Sequence, residues 1–177
     1  MALKEISLSS LVDVLDEVES DYADFFRPML GYESILNLYD GIDDNVEPQL
    51  IEIEDETGYE IPSDLLSFYM CTNGGKFGEL ELFPITNDSS VENNLLKLNV
   101  IDQSLKESIG LTKKDLLVGK YLVGNNYVVC VLKDDGVYSY EIWDPKKKKI
   151  VMEFEYLIQL VALEVSYVTD NDDFSEE

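Results

Sequence analysis

VEPQLIEIEDETGYEIPSDLLSFYMCTNGGKFGELELFPI, residues Val46 to Ile85, is the stretch whose reading decides the fold. Val46, Leu50, Ile53 and Thr57 recur at helical spacing, and Pro48 stands close enough to the start that its missing N–H costs nothing. The spacing predicts a helix over 46–57 that Gly58 ends as a left-handed residue. Pro62 suits the first position of a second helix over 62–72, with Asp64 in its first turn, where a negative charge favours the unpaired N–H groups. Leu65, Phe68, Tyr69 and Thr72 form its apolar stripe, and Asn73-Gly74-Gly75 supplies residues that tolerate positive φ at its end. Glu79 to Leu82 then alternates as a strand with one wet face should, within an expected strand over 79–85. Backbone geometry accounts for Gly58, Pro62, Asn73 and Gly74, so no chemistry is assigned to them.

This order of acidic helix, glycine stop, Ile-Pro-Ser-Asp start, aromatic-rich helix, Asn-Gly-Gly and alternating strand resembles the SUKH superfamily. That group includes fungal cell-wall-synthesis regulators and many bacterial immunity proteins that neutralise toxins. The resemblance runs from about Ile35 onward and rests on fold-determining positions, so it implies a scaffold more than a partner.

Outward from the signature, Leu8, Leu11, Leu15, Val18 and Tyr22 predict an amphipathic N-terminal helix, with Ser9 and Ser10 available to cap it. Phe25, Phe26, Met29 and Leu30 continue the apolar content through Pro28 without a defined period, and Tyr32 to Tyr39 reads equally as helix or strand. Asp40-Gly41 marks a break. Beyond the loop Thr86 to Ser90, a helix is expected through Glu92 to Ser108. The period then changes: Lys120–Val123, Tyr127–Leu132, Val137–Trp143 and Ile150–Phe154 are β-rich runs separated by turn signals at Asn125-Asn126, Asp134-Asp135-Gly136 and Asp144-Pro145. The Asp-Gly pair fits a tight hairpin, and the uniformly apolar run from Tyr127 fits a central strand covered on both faces. A last helix over 156–168 presents Leu157, Ile158, Val161 and Val165. The expected fold is a single α+β domain, an antiparallel sheet packed against several helices. Its parts are a helical N-terminal segment over 1–45, a SUKH-like core over 46–169 and an acidic disordered tail over 170–177.

A chain of 177 residues with 45% hydrophobic residues can bury a real core. Its charge is lopsided, with 37 acids against 13 bases for a net of -24. Residues 1–60 hold 17 acids and only Lys4 and Arg27 as bases, and 170–177 add five acids. Such a field disfavours nucleic acid, whose binding rests on basic residues that release counterions, and favours a basic protein. Solubility alone accounts for a high net charge equally well. No apolar run is long enough for a membrane span, and the N-terminus lacks the basic region and apolar core of a secretory signal, so a cytoplasmic monomer is the expectation.

Catalytic chemistry finds little support. The chain has no histidine, which removes the commonest general base and zinc ligand. Cys71 and Cys130 lie in apolar patterns away from any CxxC pair and are expected to be reduced and structural. The stretch from Asp40 to Glu47 fails as a calcium loop, because Ile42 stands where an oxygen ligand is required and Asn45 where glycine is. Gly119-Lys120 fails as a phosphate loop through the placing of Gly110 and Tyr121. Asn87-Asp88-Ser89 matches a glycosylation sequon by chance, and Lys146 to Lys149 reads as a solvated turn whose lysines discourage edge pairing. Tyr138 and Tyr140 on one strand face and Trp143 on the other serve either as contacts or as core.

No catalytic residue, metal ligand or cofactor is therefore expected. Joined to the acidic field, the resemblance implies a non-catalytic immunity protein that binds a basic toxin, such as a nuclease. Asp40, Asp43, Asp44, Glu47 and Glu52 are the candidate contacts. A SUKH-type interaction or regulatory module is the alternative, and a metal-dependent enzyme built on carboxylates is a third.

Overall fold

The structure is a computed structural model that describes residues 3–18, 23, 24, 26–133 and 136–172. Among these residues, eight strands form one antiparallel sheet in which every neighbour in space is a neighbour in sequence. They are β1 (Glu5–Ile6), β2 (Leu36–Asp40), β3 (Thr72–Phe77), β4 (Leu80–Leu82), β5 (Leu116–Tyr121), β6 (Tyr127–Leu132), β7 (Tyr138–Asp144) and β8 (Lys149–Phe154). The helices occupy the long connections: α1 (Leu8–Val18), α2 (Glu47–Thr57), α3 (Ser63–Cys71), α4 (Ser104–Ser108) and α5 (Leu157–Asp172). The α+β reading and its antiparallel sheet are what the structure shows. α1, α3 and α5 pack on β2 and β3, whereas α2 packs on a wider helical turn at Lys97–Ile101 that also touches β5.

β6 is an interior strand between β5 and β7, and Val128, Val129 and Cys130 are buried in succession, so both of its faces are covered. Both cysteines are buried and neither forms a disulfide. Burial raises the pKa of the Cys130 thiol, with Asp64 adding to the effect, and so keeps it protonated. Tyr140 is fully buried, and its hydroxyl donates to Asp64 Oδ1 at 2.8 Å. Asp64 Oδ2 accepts from the Leu157 N–H at 3.3 Å, so this first-turn acid also ties α3 to β7 and to the start of α5. Trp143 is spent in the same way, with Nε1 donating to the Ile109 carbonyl at 2.8 Å. Of the aromatic set, Tyr138 and Trp143 keep partial exposure, and the Tyr138 hydroxyl donates to the Glu60 carbonyl.

Several expectations need correction. Asn73-Gly74-Gly75 does not trail off α3 but lies inside β3, a strand the sequence pattern did not show. The positive φ expected of these glycines is present, 73° at Gly74 and 129° at Gly75, and a Cβ at each would also stand 2.4 Å from a carbonyl oxygen, of Leu82 and of Asn37, so conformation and close approach together select glycine there. The helix expected through Glu92 to Ser108 is broken. Asn99, fully buried, turns its side chain onto the backbone of Leu117, donating to the carbonyl at 2.9 Å and accepting from the N–H at 2.8 Å. Asp102 then accepts from the Ser104 N–H and starts α4 afresh. Ser7, rather than Ser9 or Ser10, caps α1, its hydroxyl accepting from the Ser10 N–H at 3.1 Å. β5 begins at Leu116 and ends at Tyr121, which leaves Leu122 and Val123 exposed in the following turn. The ambiguous segment resolves into tight helical turns over Arg27–Ile35 followed by β2. α5 reaches Asp172, past the expected start of the tail, and residues 173–177 lie outside the described residues. So do Asp134 and Asp135 of the expected Asp-Gly turn. Around them, the Lys133 N–H donates to the Val137 carbonyl, and Gly136 has φ 79°.

Candidate functional site

The segment from Asp40 to Glu47 is held by backbone geometry before any side chain contributes. Ile42 donates its N–H to the Tyr69 carbonyl at 3.0 Å, and a Cβ at Gly41 would stand 2.0 Å from the Met70 carbonyl oxygen. The loop therefore lies directly on the last turn of α3, and the glycine that looked like a chain break is what lets the two backbones touch. Asp43 next accepts from both the backbone N–H and the side-chain amide of Asn45, each at 2.9 Å, and caps the short turn Asp44–Val46. Asp44 and Glu47 follow in the first turns of successive helical segments, where negative charge is favourable.

A cleft of about 360 Å³ opens between this loop, the N-terminal residues Leu3 and Lys4, and the Ile85–Asn87 segment. Its base is polar and fixed. Asn73 donates to the Ile85 carbonyl at 3.0 Å and accepts from the Ile85 N–H at 2.8 Å, pairing with that residue as a strand would. Gln49, 8% exposed, folds back on the start of α2, and its amide, turned so that nitrogen takes the place of oxygen, donates to the carbonyls of Asn45 and Val46. Gln49 thus joins Ile53 and Thr57 on the buried stripe, while Val46 and Leu50 are only half-buried. Lys4 shares the cleft with Asp40 and Asp43 and offsets part of their charge.

The structure divides the five candidate acids. Asp40 and Asp43 line the cleft; Asp44, Glu47 and Glu52 do not. All five are exposed. Asp43 is committed to its cap, and Asp40 accepts from the Gly41 N–H. The carboxylates of Asp44, Glu47 and Glu52 make no hydrogen bond or ion pair among the described residues, and only backbone groups such as the Glu47 N–H and the Asp44 carbonyl are paired.

On the outer face of α2, Glu52 adjoins Ile51, which is 49% exposed. Glu47 and Asp55 lie one turn to either side of Ile51 and are exposed as well. An apolar side chain half in water and ringed by carboxylates has the make-up of an interface centre with a charged rim. Ile51 is not among the acids that charge singles out, although it is legible in the sequence as the one aliphatic residue off the predicted stripe of α2.

Residues 47–158, more than half of the chain, match SUKH_6, the SMI1-KNR4 cell-wall family. The chain belongs to this family. Comparison with curated proteins gives no match. The match begins at the first residue of α2 and ends just inside α5, so the SUKH_6 region contains six of the eight strands and the α2 face. The cleft lies partly outside it, since its lining residues Leu3, Lys4, Asp40–Asp43, Asn45 and Val46 precede the matched residues. No helix among the described residues is long and apolar enough to cross a membrane.

Proposed function

We propose that this SUKH-family protein is an immunity protein that acts in the cytoplasm by binding a basic toxin domain and covering its working surface, without catalysis of its own. The observation that carries the reading is the outer face of α2, where exposed Ile51 stands among Glu47, Glu52 and Asp55. A complementary basic partner would be steered by the field of residues 1–60 and anchored by burying Ile51. Nothing in that face selects a nuclease over another basic toxin. The family's cell-wall description supports the second reading, a regulatory interaction module.

The test is affinity co-purification from the native cell extract, with wild-type protein beside Ile51→Asp. The immunity reading expects a basic chain that wild type retains and Ile51→Asp loses, and that arrests growth when expressed without this protein. A retained partner that is harmless on its own favours the regulatory module. A partner that binds Ile51→Asp as well as wild type removes the α2 face from the account.

A further inference from the structure

The cleft at the start of α2 combines apolar walls with acceptor groups that the chain itself leaves unspent. Ile85 is buried along it, and Ile42 and Val46 are half-buried. Its charged side chains are Asp40, Asp43 and Lys4, and Lys4 forms no ion pair with either acid. Asp40 spends one oxygen on the Gly41 N–H and Asp43 accepts only from Asn45, so both carboxylates keep lone pairs to offer. Gln49 adds a buried acceptor. At 8% exposure its amide nitrogen is taken by the carbonyls of Asn45 and Val46, and its amide oxygen accepts no hydrogen bond among the described residues. Acceptors outnumber donors here, which disfavours an anion. A metal ion is disfavoured as well, because no third acid joins Asp40 and Asp43 in a group that could hold one among the described residues. At about 360 Å³ the space stands near the lower end of ligand sites, which run from about 300 to 1,000 Å³, and suits one long side chain with its flanking backbone.

We propose that this cleft receives an arginine side chain of the partner polypeptide, with the methylene stem along Ile42, Val46 and Ile85 and the guanidinium against Asp40, Asp43 and the Gln49 oxygen. A side chain with an apolar stem and a charged head matches a lining of both kinds. Arginine matches it better than lysine does, because a planar head with five donors in a fixed fork can address several acceptors at once, whereas an ammonium is a compact and more strongly hydrated point charge. Lys4 is then the cleft's own competing cation, and it lowers the affinity for the incoming one. The cleft and the exposed face of α2 flank the same short turn, Asp44–Val46, so one basic partner can engage both. That the arginine belongs to a toxin rests on the function proposed above; the guanidinium site does not.

The experiment needs no partner. N-acetylargininamide is titrated into the full chain at 0.15 M salt and followed by amide NMR shifts, with N-acetyllysinamide as the comparison. Wild type is expected to bind the arginine compound at about millimolar concentration, a range suited to a single side chain, with the largest shifts at Gly41, Ile42 and Ile85. The lysine compound is expected to bind about threefold or more weakly. Asp40→Asn keeps the oxygen that accepts from Gly41 and removes the charge, and it should weaken binding about fivefold or more. Lys4→Met should tighten it about twofold or more, which a merely structural role for Lys4 would not produce. Shifts scattered over the acidic surface, equal binding of the two compounds, an Asp40→Asn variant that binds as well as wild type, or a Lys4→Met variant that binds no more tightly would each overturn the proposal. If Asp40→Asn fails to fold, the preference for arginine and the Lys4→Met variant still decide it. Failure of the arginine compound leaves the α2 face as the partner surface, whereas localised binding with no basic partner recovered from cells supports this site and counts against the immunity reading alone.

Discussion

Replacing Lys106 by methionine should make the protein more stable at neutral pH. Lys106 lies in α4 and is 1% exposed, with its ammonium donating to the Lys113 carbonyl at 3.3 Å. Burial pulls its pKa down from 10.5 to about 8; Asp115 and Glu56 pull the other way, and Lys113 adds to the fall. A drop of that size corresponds to roughly 3 kcal/mol of penalty for holding the charged form in the folded state at pH 7. Methionine keeps most of the stem's volume and discards the charge, at the cost of one hydrogen bond worth about 1 kcal/mol. The net gain of roughly 2 kcal/mol corresponds to a rise in Tm of about 4–8 °C for a chain of this size. Because the folded pKa lies below the unfolded one, the penalty is fully present below pH 8 and is relieved as pH rises from 8 toward 10.5. Denaturant unfolding of both proteins from pH 7 to 9.5 should therefore show the gap closing with pH. Comparing the two cancels the opposite contribution of groups such as Cys130, whose raised pKa removes stability as pH climbs. A methionine variant less stable than wild type at pH 7, or a gap constant with pH, would refute the assignment of a costly buried ammonium.

Other outcomes follow from individual contacts. Gly41→Ala drives a Cβ to within 2.0 Å of the Met70 carbonyl oxygen and should destabilise by about 1–3 kcal/mol, read as a fall in the urea midpoint at unchanged slope. Asn99→Ala leaves both backbone groups of Leu117 without their partner and should cost about 2–4 kcal/mol in the same assay. Glu141, buried beside Glu153, has its pKa raised chiefly by burial and further by that neighbour. The folded state thus disfavours its ionised form, so Glu141→Gln should raise Tm at pH 7, and the advantage should fade as pH falls and wild-type Glu141 takes up its proton.

The elements legible in the sequence are those that rest on local pattern. α2 and α3 were placed within a residue at most of their ends by Pro48, Gly58, Pro62 and the apolar spacing, and Gly58 has the expected left-handed conformation at φ 82°. β6, β7 and β8 followed from β-branched and aromatic runs between turn residues. β3 was illegible because Thr-Asn-Gly-Gly has little strand propensity, and its place in the sheet comes from the strands that close on Gly74 and Gly75. The break in the 92–108 helix was hidden for a related reason. Nothing near Asn99 in sequence announces that its amide will serve Leu117, eighteen residues on. For the candidate site, composition located the acidic region but not its division into a cleft and a helix face. That division depends on where Gly41 brings the loop against α3, which is a tertiary contact.

The central claim, that the acidic α2 face steers and anchors a basic partner, is tested most directly by the association rate of the purified pair as a function of salt. The comparison is wild type against Asp44→Lys/Glu47→Lys/Glu52→Lys, with Asp43 left in place because its carboxylate caps the turn. The wild-type rate should fall steeply as the Debye length shrinks from about 10 Å at 0.1 M salt to about 3 Å at 1 M, with dissociation changing much less. The triple variant should associate slowly at every salt concentration, with its Tm lowered by only a few degrees through less favourable charge at the helix starts. A wild-type rate that ignores salt, or a triple variant that associates as fast as wild type, would contradict it.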